Sequence, residues 1–490
     1  MRKHFWRDMK SSPCARRILI LAAGVLSQIT TSFAQAESPF VFVQTNITIK
    51  QVDVSAARYE DSRGYPRLDA SRLNLARPRV VERAHAAIFL ENAYLRVVLL
   101  PEMGRVYSLF SKITAHEQLW INPVAKPLIG QQNDTGWWMA WGGVEYTLPR
   151  GEHGTTWALR WTYRIAEDSA LRKAVVMTVL EPVTKLREDL EIVIYPDRAF
   201  YEANITIANT GDAEARFSHW INPMWAPGGR GEVTPETELI VPCTAMVVVD
   251  RNFNRWMLGG QMQDFERNPL RWVKHWRSIG DLLATNLTHG FSGAFSHDAN
   301  EGVARVFDPK VTPGLDIWTW GYPPPPDRQR EYSLVPNRGY VEIWGGTALD
   351  FSDDSRGRLA PGRRLQWKEW MYPFHGTKGL TFANQDVALC FRQNAEKERL
   401  ELGLFVTALI PGLSVEVEWG RESLLKDTFD LVPERPFYRT IPLREAAPSP
   451  QPARVRLERA GRALVDVDAK PILPSQWGDP YLPAADDVEK

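Results

Sequence analysis

Cysteine is scarce. The 490-residue chain has three, and Cys14 lies in a segment expected to be removed, which leaves Cys243 and Cys390. Two thiols make one bridge at most, so a disulfide framework is excluded and stability must come from a packed core. An excess of one charge is lacking too: Lys plus Arg number 59, and so do Asp plus Glu. Without a basic stripe, a nucleic-acid partner is not expected. Beyond the N-terminus no run of about 18 apolar residues occurs, so no membrane span is expected in the mature chain. There is no HExxH, no CxxC pair, no Walker loop, no dinucleotide fingerprint and no Gly-x-Ser-x-Gly elbow. Neither a metal nor another cofactor is therefore expected, and Asp353-Asp354 lacks the spaced partners of a calcium loop. Amphipathic helical patterns longer than about two or three turns are also missing.

The N-terminus reads as an export signal. Arg2, Lys3, Arg7, Lys10, Arg16 and Arg17 precede a short apolar run, residues 18–26, and Ala34-Gln35-Ala36 fits a small-x-small cleavage site. Arg16-Arg17 stands without the rest of a twin-arginine motif, so general secretion to the periplasm or the medium is the expectation. No Cys follows the apolar run to take a lipid. Removal of residues 1–36 leaves 53 basic residues against 58 acidic.

Tryptophan is abundant: 16 of the 19 fall between Trp120 and Trp370. Residues 137–149 set Trp137, Trp138 and Trp141 beside a Gly142-Gly143 pair, Glu145 and Tyr146. Flat apolar rings stack on sugar rings and a carboxylate bonds their hydroxyls, so the cluster suits carbohydrate. A Trp-rich β core is the other reading of the same indoles. Trp318 and Trp320 share one face by period two, either as a stacking platform or as core.

Period-two alternation dominates elsewhere. Residues 94–100, 174–180, 190–195 and 203–208 read as strands, and Gly/Pro punctuation between many such runs predicts an all-β sandwich or barrel. A boundary is expected near Gly376-Thr377-Lys378-Gly379. Beyond it the alternation is cleaner, at 387–391, 400–406, 413–419 and 455–458, which predicts a small immunoglobulin-like sandwich. Residues 446–452 read as a loop, and the acidic tail from Asp479 as loosely held. The expected organisation is a signal peptide over 1–36, a large β domain over 37–378 and a small one over 379–490.

Residues 91–109, a strand, a turn at Gly104 and a second strand, resemble the opening of galactose mutarotase-like domains. The order of further motifs resembles a bacterial family catalogued as a domain of unknown function, number fifty-one-oh-seven. These motifs are Trp120-Ile121-Asn122-Pro123, Gly142 to Tyr146, Phe307-Asp308 through Pro313-Gly314 to Trp318-Thr319-Trp320-Gly321, Tyr340 to Gly346, and Leu359-Ala360-Pro361-Gly362. The resemblance covers roughly residues 80–375 and implies a β-supersandwich with a carbohydrate groove on its concave face. It implies no single reaction, since the superfamily holds epimerases, hydrolase and lyase domains and plain binders.

Ser218-His219-Trp220-Ile221-Asn222-Pro223 is similar to the Asn-His-x-aromatic-Asn segment of sugar mutarotases, which implies His219 as general acid, with Ser218 where those enzymes have Asn. Glu342, ahead of Pro361-Gly362, stands in the order of their catalytic base. Glu145 and His153 are the other contenders, at the mouth of the Gly142-Gly143 turn. A Glu145/Glu342 glycosidase pair is an alternative. The resulting expectation is one groove holding a sugar near Trp137, Trp141, Trp318 and Trp320, with His219 and Glu342 catalytic. Glu145, His153 and Arg105 would contact substrate. A non-catalytic glycan-binding or scaffold protein of the periplasm is the alternative, and a purely structural partner-binding sandwich is the third reading.

Overall fold

Strands form where apolar residues alternate, and two faces result. In the strand Val341–Gly346, Val341 and Ile343 join the central core while Glu342 and Trp344 point the other way. The computed structural model describes residues 40–471, apart from 132, 250–255, 257–260, 264, 266–267, 327, 337–338, 395–398 and 444–451. The expected signal peptide, most of the loop expected at 446–452 and the acidic tail lie outside the described residues.

Two large antiparallel sheets pair their apolar faces. One has twelve strands. Its order runs from the edge strand Val41–Val52 through Val80–Glu91, Leu95–Leu100, Arg105–Ser111, Val144–Thr147 and Trp220–Trp225. It continues through Val341–Gly346, Gly314–Thr319, Gly280–Leu287 and Cys243–Val248 to Gln261–Gln263, with His116–Glu117 paired to Arg105–Ser111. The other has eight strands, in the order Thr162–Asp168, Lys173–Leu180, Leu186–Ile194, Tyr201–Asn209, Arg364–His375, Glu301–Val306, Phe291–Ser296 and Thr237–Ile240. Between the sheets, Val97 and Leu99 from one strand share a core with Val175, Ile192, Ile205, Ile317 and Ile343. Each such side chain contributes about 1.5–3 kcal/mol on full burial. The four strands expected from alternation in this region all form, with ends that differ by at most four residues.

The inter-sheet space is not wholly apolar. Arg305 pairs with Glu369 at 2.6 and 2.8 Å, and Trp367 donates its indole N–H to the same carboxylate at 3.0 Å. Gly345 lies directly over this arginine; a Cβ there would sit 1.7 Å from Arg305 Nη1. The twelve-stranded sheet also carries apolar residues on its outer face. Trp120, Trp137, Trp138, Trp318, Trp320 and Tyr340 form a second core there, under the connections that cross the sheet.

The strand Arg364–His375 ends at Gly376, and a C-terminal β domain follows. It has a five-stranded sheet, with Val387–Asn394 and Arg399–Val406 at its centre, and a four-stranded sheet around Ile410–Trp419 and Arg454–Arg459. Leu389, Leu402, Val415 and Leu457 close its own core. Cys243 and Cys390 are both buried, with no disulfide between them.

A buried carboxylate ties this domain to the large sandwich. Glu238, on Thr237–Ile240, accepts from Arg392 at 2.9 and 3.1 Å and from His297 at 2.7 Å, and is also paired with Arg271. Burial alone would raise its pKa, but the charges of Arg271 and Arg392 win and hold it well below the usual carboxylate value. Removing it leaves two guanidinium groups facing each other without a counter-charge. Glu238→Ala should therefore lower unfolding stability by about 3–5 kcal/mol, read as a fall in the urea midpoint. An unchanged midpoint would remove this junction from the stability argument.

Candidate functional site

Register assembles the site. Trp318 lies opposite Glu342, and Glu342 opposite Met224, across three adjacent strands. Asp316 lies opposite Trp344, and Glu145 opposite Asn222. Asp316, Trp318, Glu342 and Trp344 all line a cavity on the outer face of the twelve-stranded sheet, with His153, Glu152 and Tyr332 among the residues that roof it. Its volume is about 720 Å³ including the open mouth.

Glycine permits the close approach of the strands beside it. Gly142 and Gly143 adopt φ of +93° and +81°, and a Cβ on Gly142 would lie 2.2 Å from the Trp120 carbonyl oxygen. This turn delivers Glu145 to a buried position where both oxygens are occupied. Arg105 forms an ion pair with it and donates to the Gly142 carbonyl at 2.6 Å. Trp138 donates to Glu145 Oε2 at 3.0 Å, and His153 Nδ1 meets Oε1 at 2.9 Å. Burial would raise the Glu145 pKa, but the Arg105 charge and the His153 hydrogen bond hold it below the usual value. Glu145 is thus a carboxylate, which takes the Nδ1 proton of His153 as its hydrogen bond. That makes Nδ1 the donor, so in the neutral ring Nε2 is the acceptor.

The histidine is held by its surroundings as well. Its ring stacks on Trp138, with centroids 3.8 Å apart, and meets the edge of Trp344 at 5.1 Å. Glu152 and His153 both have left-handed backbones, φ +36° and +57°. Such a conformation costs a non-glycine residue on the order of 1–3 kcal/mol and persists where the surroundings impose it. Gly154 follows at φ +52°, where a Cβ would fall 2.1 Å from the Leu148 carbonyl oxygen.

Glu342 is the opposite of Glu145. Trp344 donates to its Oε2 at 2.7 Å, yet no cation pairs with it among the described residues. Burial pushes its pKa up to about 8, and the neighbouring Glu145 charge adds to the rise. At neutral pH it carries a proton.

The residues expected to share one groove divide. His153, Glu342 and Trp318 line this cavity. Arg105 and Glu145 sit buried behind it and serve His153 rather than a ligand. Trp320 is fully buried, edge-on to Trp318 and packed on Tyr332, so it belongs to the core reading. Trp137 and Trp141 line a second cavity instead. His219 is the clearest correction. It is wholly buried between the sheets, where Nε2 meets Glu188 of the eight-stranded sheet at 2.9 Å. The intervening sheet separates it from Glu342, so it cannot share a substrate with it. Sequence reasoning misses Asp316, Glu152, Tyr332 and Trp344. Two of them, Asp316 and Trp344, follow from Trp318 and Glu342 by a step of two along their strands.

The two packed sheets and this outer-face cavity define an all-β sandwich protein. Within that class the chain belongs to the family described as a domain of unknown function, DUF5107, whose model matches residues 72–374. Residues 382–467 match the second domain of YphG-like proteins. Among solved structures, a TPR-domain containing protein from Parabacteroides distasonis is similar at 17% identity, with a TM-score of 0.55 over 68% of this chain and 55% of that one. The chain thus spans about half that protein's length. Galactose mutarotase-like proteins from Clostridium acetobutylicum (11% identity, TM-score 0.42, 60% of this chain and 96% of that) and Lactobacillus casei (13%, 0.38, 59% and 99%) are similar more distantly.

The raised pKa of Glu342 has a consequence for stability. Below pH 4.5, its ordinary value, folded and unfolded chains both hold the proton. Between there and about 8 only the folded chain holds it, so this group's contribution to stability is lost as pH rises through that window. Glu342→Gln should remove that slope, leaving the variant more stable than the parent at pH 9 by a few kcal/mol, on the order set by the shift. Parallel stability curves for the two proteins from pH 5 to 9 would contradict the protonated state.

Proposed function

We propose that the chain is an exported carbohydrate-active protein that takes a saccharide into the cavity of Glu342 and His153 and works on it by acid–base chemistry. The observation that carries this reading is that Glu342, buried without a paired cation among the described residues, and His153, held through Nδ1 by the buried Glu145, line one cavity. Indole faces beside them, Trp318 and Trp344, suit the apolar faces of a sugar ring. The basic N-terminal segment with its apolar run supports export.

The assignment of roles differs from that implied by resemblance. Glu342, protonated at pH 7, is the acid, and His153 is the base. On a reducing sugar, His153 Nε2 takes the proton of the anomeric hydroxyl while Glu342 gives its proton to the ring oxygen. The C1–O5 bond breaks and an open-chain aldehyde forms; the reverse steps on the other face of the carbonyl close the second anomer. On a glycoside the same acid protonates the leaving oxygen. A binder without turnover is the second reading, favoured by the Trp344 N–H that already occupies one Glu342 oxygen.

A panel of reducing sugars and glycans, followed by NMR for anomer exchange and by mass spectrometry for cleavage, tests the proposal. Glu342→Gln and His153→Asn should each lose at least roughly 10²-fold in kcat/KM. His219→Asn should keep the turnover of its folded fraction and lose stability instead. Full turnover in Glu342→Gln would overturn the acid assignment; binding without products in the parent protein would establish the second reading.

A further inference from the structure

The second cavity lies beside the edge strand Val41–Val52 and its neighbour Val80–Glu91 and measures about 1000 Å³ with its mouth. Its walls combine indoles and cations. Trp137, Trp141 and Trp157 line it, with Trp157 edge-on to Trp137 at 4.8 Å. Trp157 is 3% exposed, and its Nε1 is buried with no hydrogen-bond partner among the described residues. His85 Nε2, on the same lining, is likewise buried and unpartnered.

Charge at the mouth is unbalanced. Arg160 is neutralised by Glu102 at 2.6 Å. Arg58 donates only to the Ala158 carbonyl, at 3.1 Å, and Arg83 forms no ion pair among the described residues. Partial burial and the Arg83 charge lower the pKa of Arg58, and burial and the same charge lower that of His85. Arg58 and Arg83 line the same cavity, so an anion there can take donors from both.

We propose that this cavity binds an acidic sugar residue, its carboxylate or sulfate held by Arg58 and Arg83 and its ring set against Trp157 and Trp141. The site is separate from the Glu342 cavity and does not depend on the chemistry there.

Calorimetric titration of the full chain with a uronate tetrasaccharide, a sulfated tetrasaccharide, a neutral one and sodium sulfate tests it. At least one acidic tetrasaccharide should bind roughly tenfold or more tightly than the neutral one, and the two acidic arms identify which oxyanion fits. The preference should weaken as salt rises. Arg58→Gln/Arg83→Gln should abolish it while melting like the parent. Glu342→Gln should retain it. Equal binding of acidic and neutral ligands, an unchanged preference in the double arginine variant, or sulfate alone binding as tightly as the saccharides would overturn the proposal. So would a preference lost in Glu342→Gln but kept in Arg58→Gln/Arg83→Gln, since the acidic ligand would then sit in the other cavity.

Discussion

The buried Arg105–Glu145 pair organises everything on the outer face of the large sheet. Two opposite charges in a low-dielectric space need further hydrogen bonds beyond their own pairing. Here Arg105 reaches the Gly142 carbonyl, and Glu145 gathers Trp138 and His153. Three separate stretches of chain are thereby fixed to one carboxylate. The same charge acts on Glu342, helping to keep it protonated. One carboxyl has a cation and stays ionised; the other has none and keeps its proton. Two glutamates of identical chemistry are driven to opposite states by what each can pair with.

Much of this is legible in the sequence. Alternation locates the strands, because period two is the signature of a half-buried ribbon. The cluster of Trp138, the Gly142-Gly143 turn, Glu145 and His153 stands out because each residue type is costly unless it is used. What sequence cannot give is the depth at which a side chain sits. Arg105 and Glu145 look like ligand-contacting groups in a string of letters, and only the fold shows that each satisfies the other. Nor can it show that one Trp-rich region serves two separate cavities.

His219 is instructive because its position is legible from alternation yet masked by motif similarity. Ile221 is apolar and Asn222 polar, so alternation assigns Ile221 to the core face; counting back two residues puts His219 on that face as well. The structure agrees, with Ile221 in the central core and His219 against Glu188. Motif similarity points instead to the outer face. A histidine buried between sheets looks functional until the acidic partner across the sandwich is seen. Glu188–His219 is such a polar tie between the two sheets, whereas Arg305–Glu369, both on the eight-stranded sheet, is an ion pair within one sheet that faces the same space.

The density of indoles in residues 137–141 has a geometric origin. The strand Trp137–Met139 is short, and its neighbouring side chains point to opposite sides. Trp138 turns one way, to Glu145 and the His153 ring; Trp137, with Met139 and Trp141, turns the other way and lines the second cavity. Each indole N–H is fixed on its own side, Trp138 to Glu145 and Trp137 to the Pro66 carbonyl at 2.9 Å. A single segment therefore lines the second cavity with one face and backs the His153 ring, which lines the first, with the other. A wall with two working surfaces needs large flat side chains on consecutive residues, whereas a strand with one wet face needs them only on alternate ones. That requirement accounts for adjacent tryptophans at 137 and 138 where a simple core strand would alternate apolar with polar.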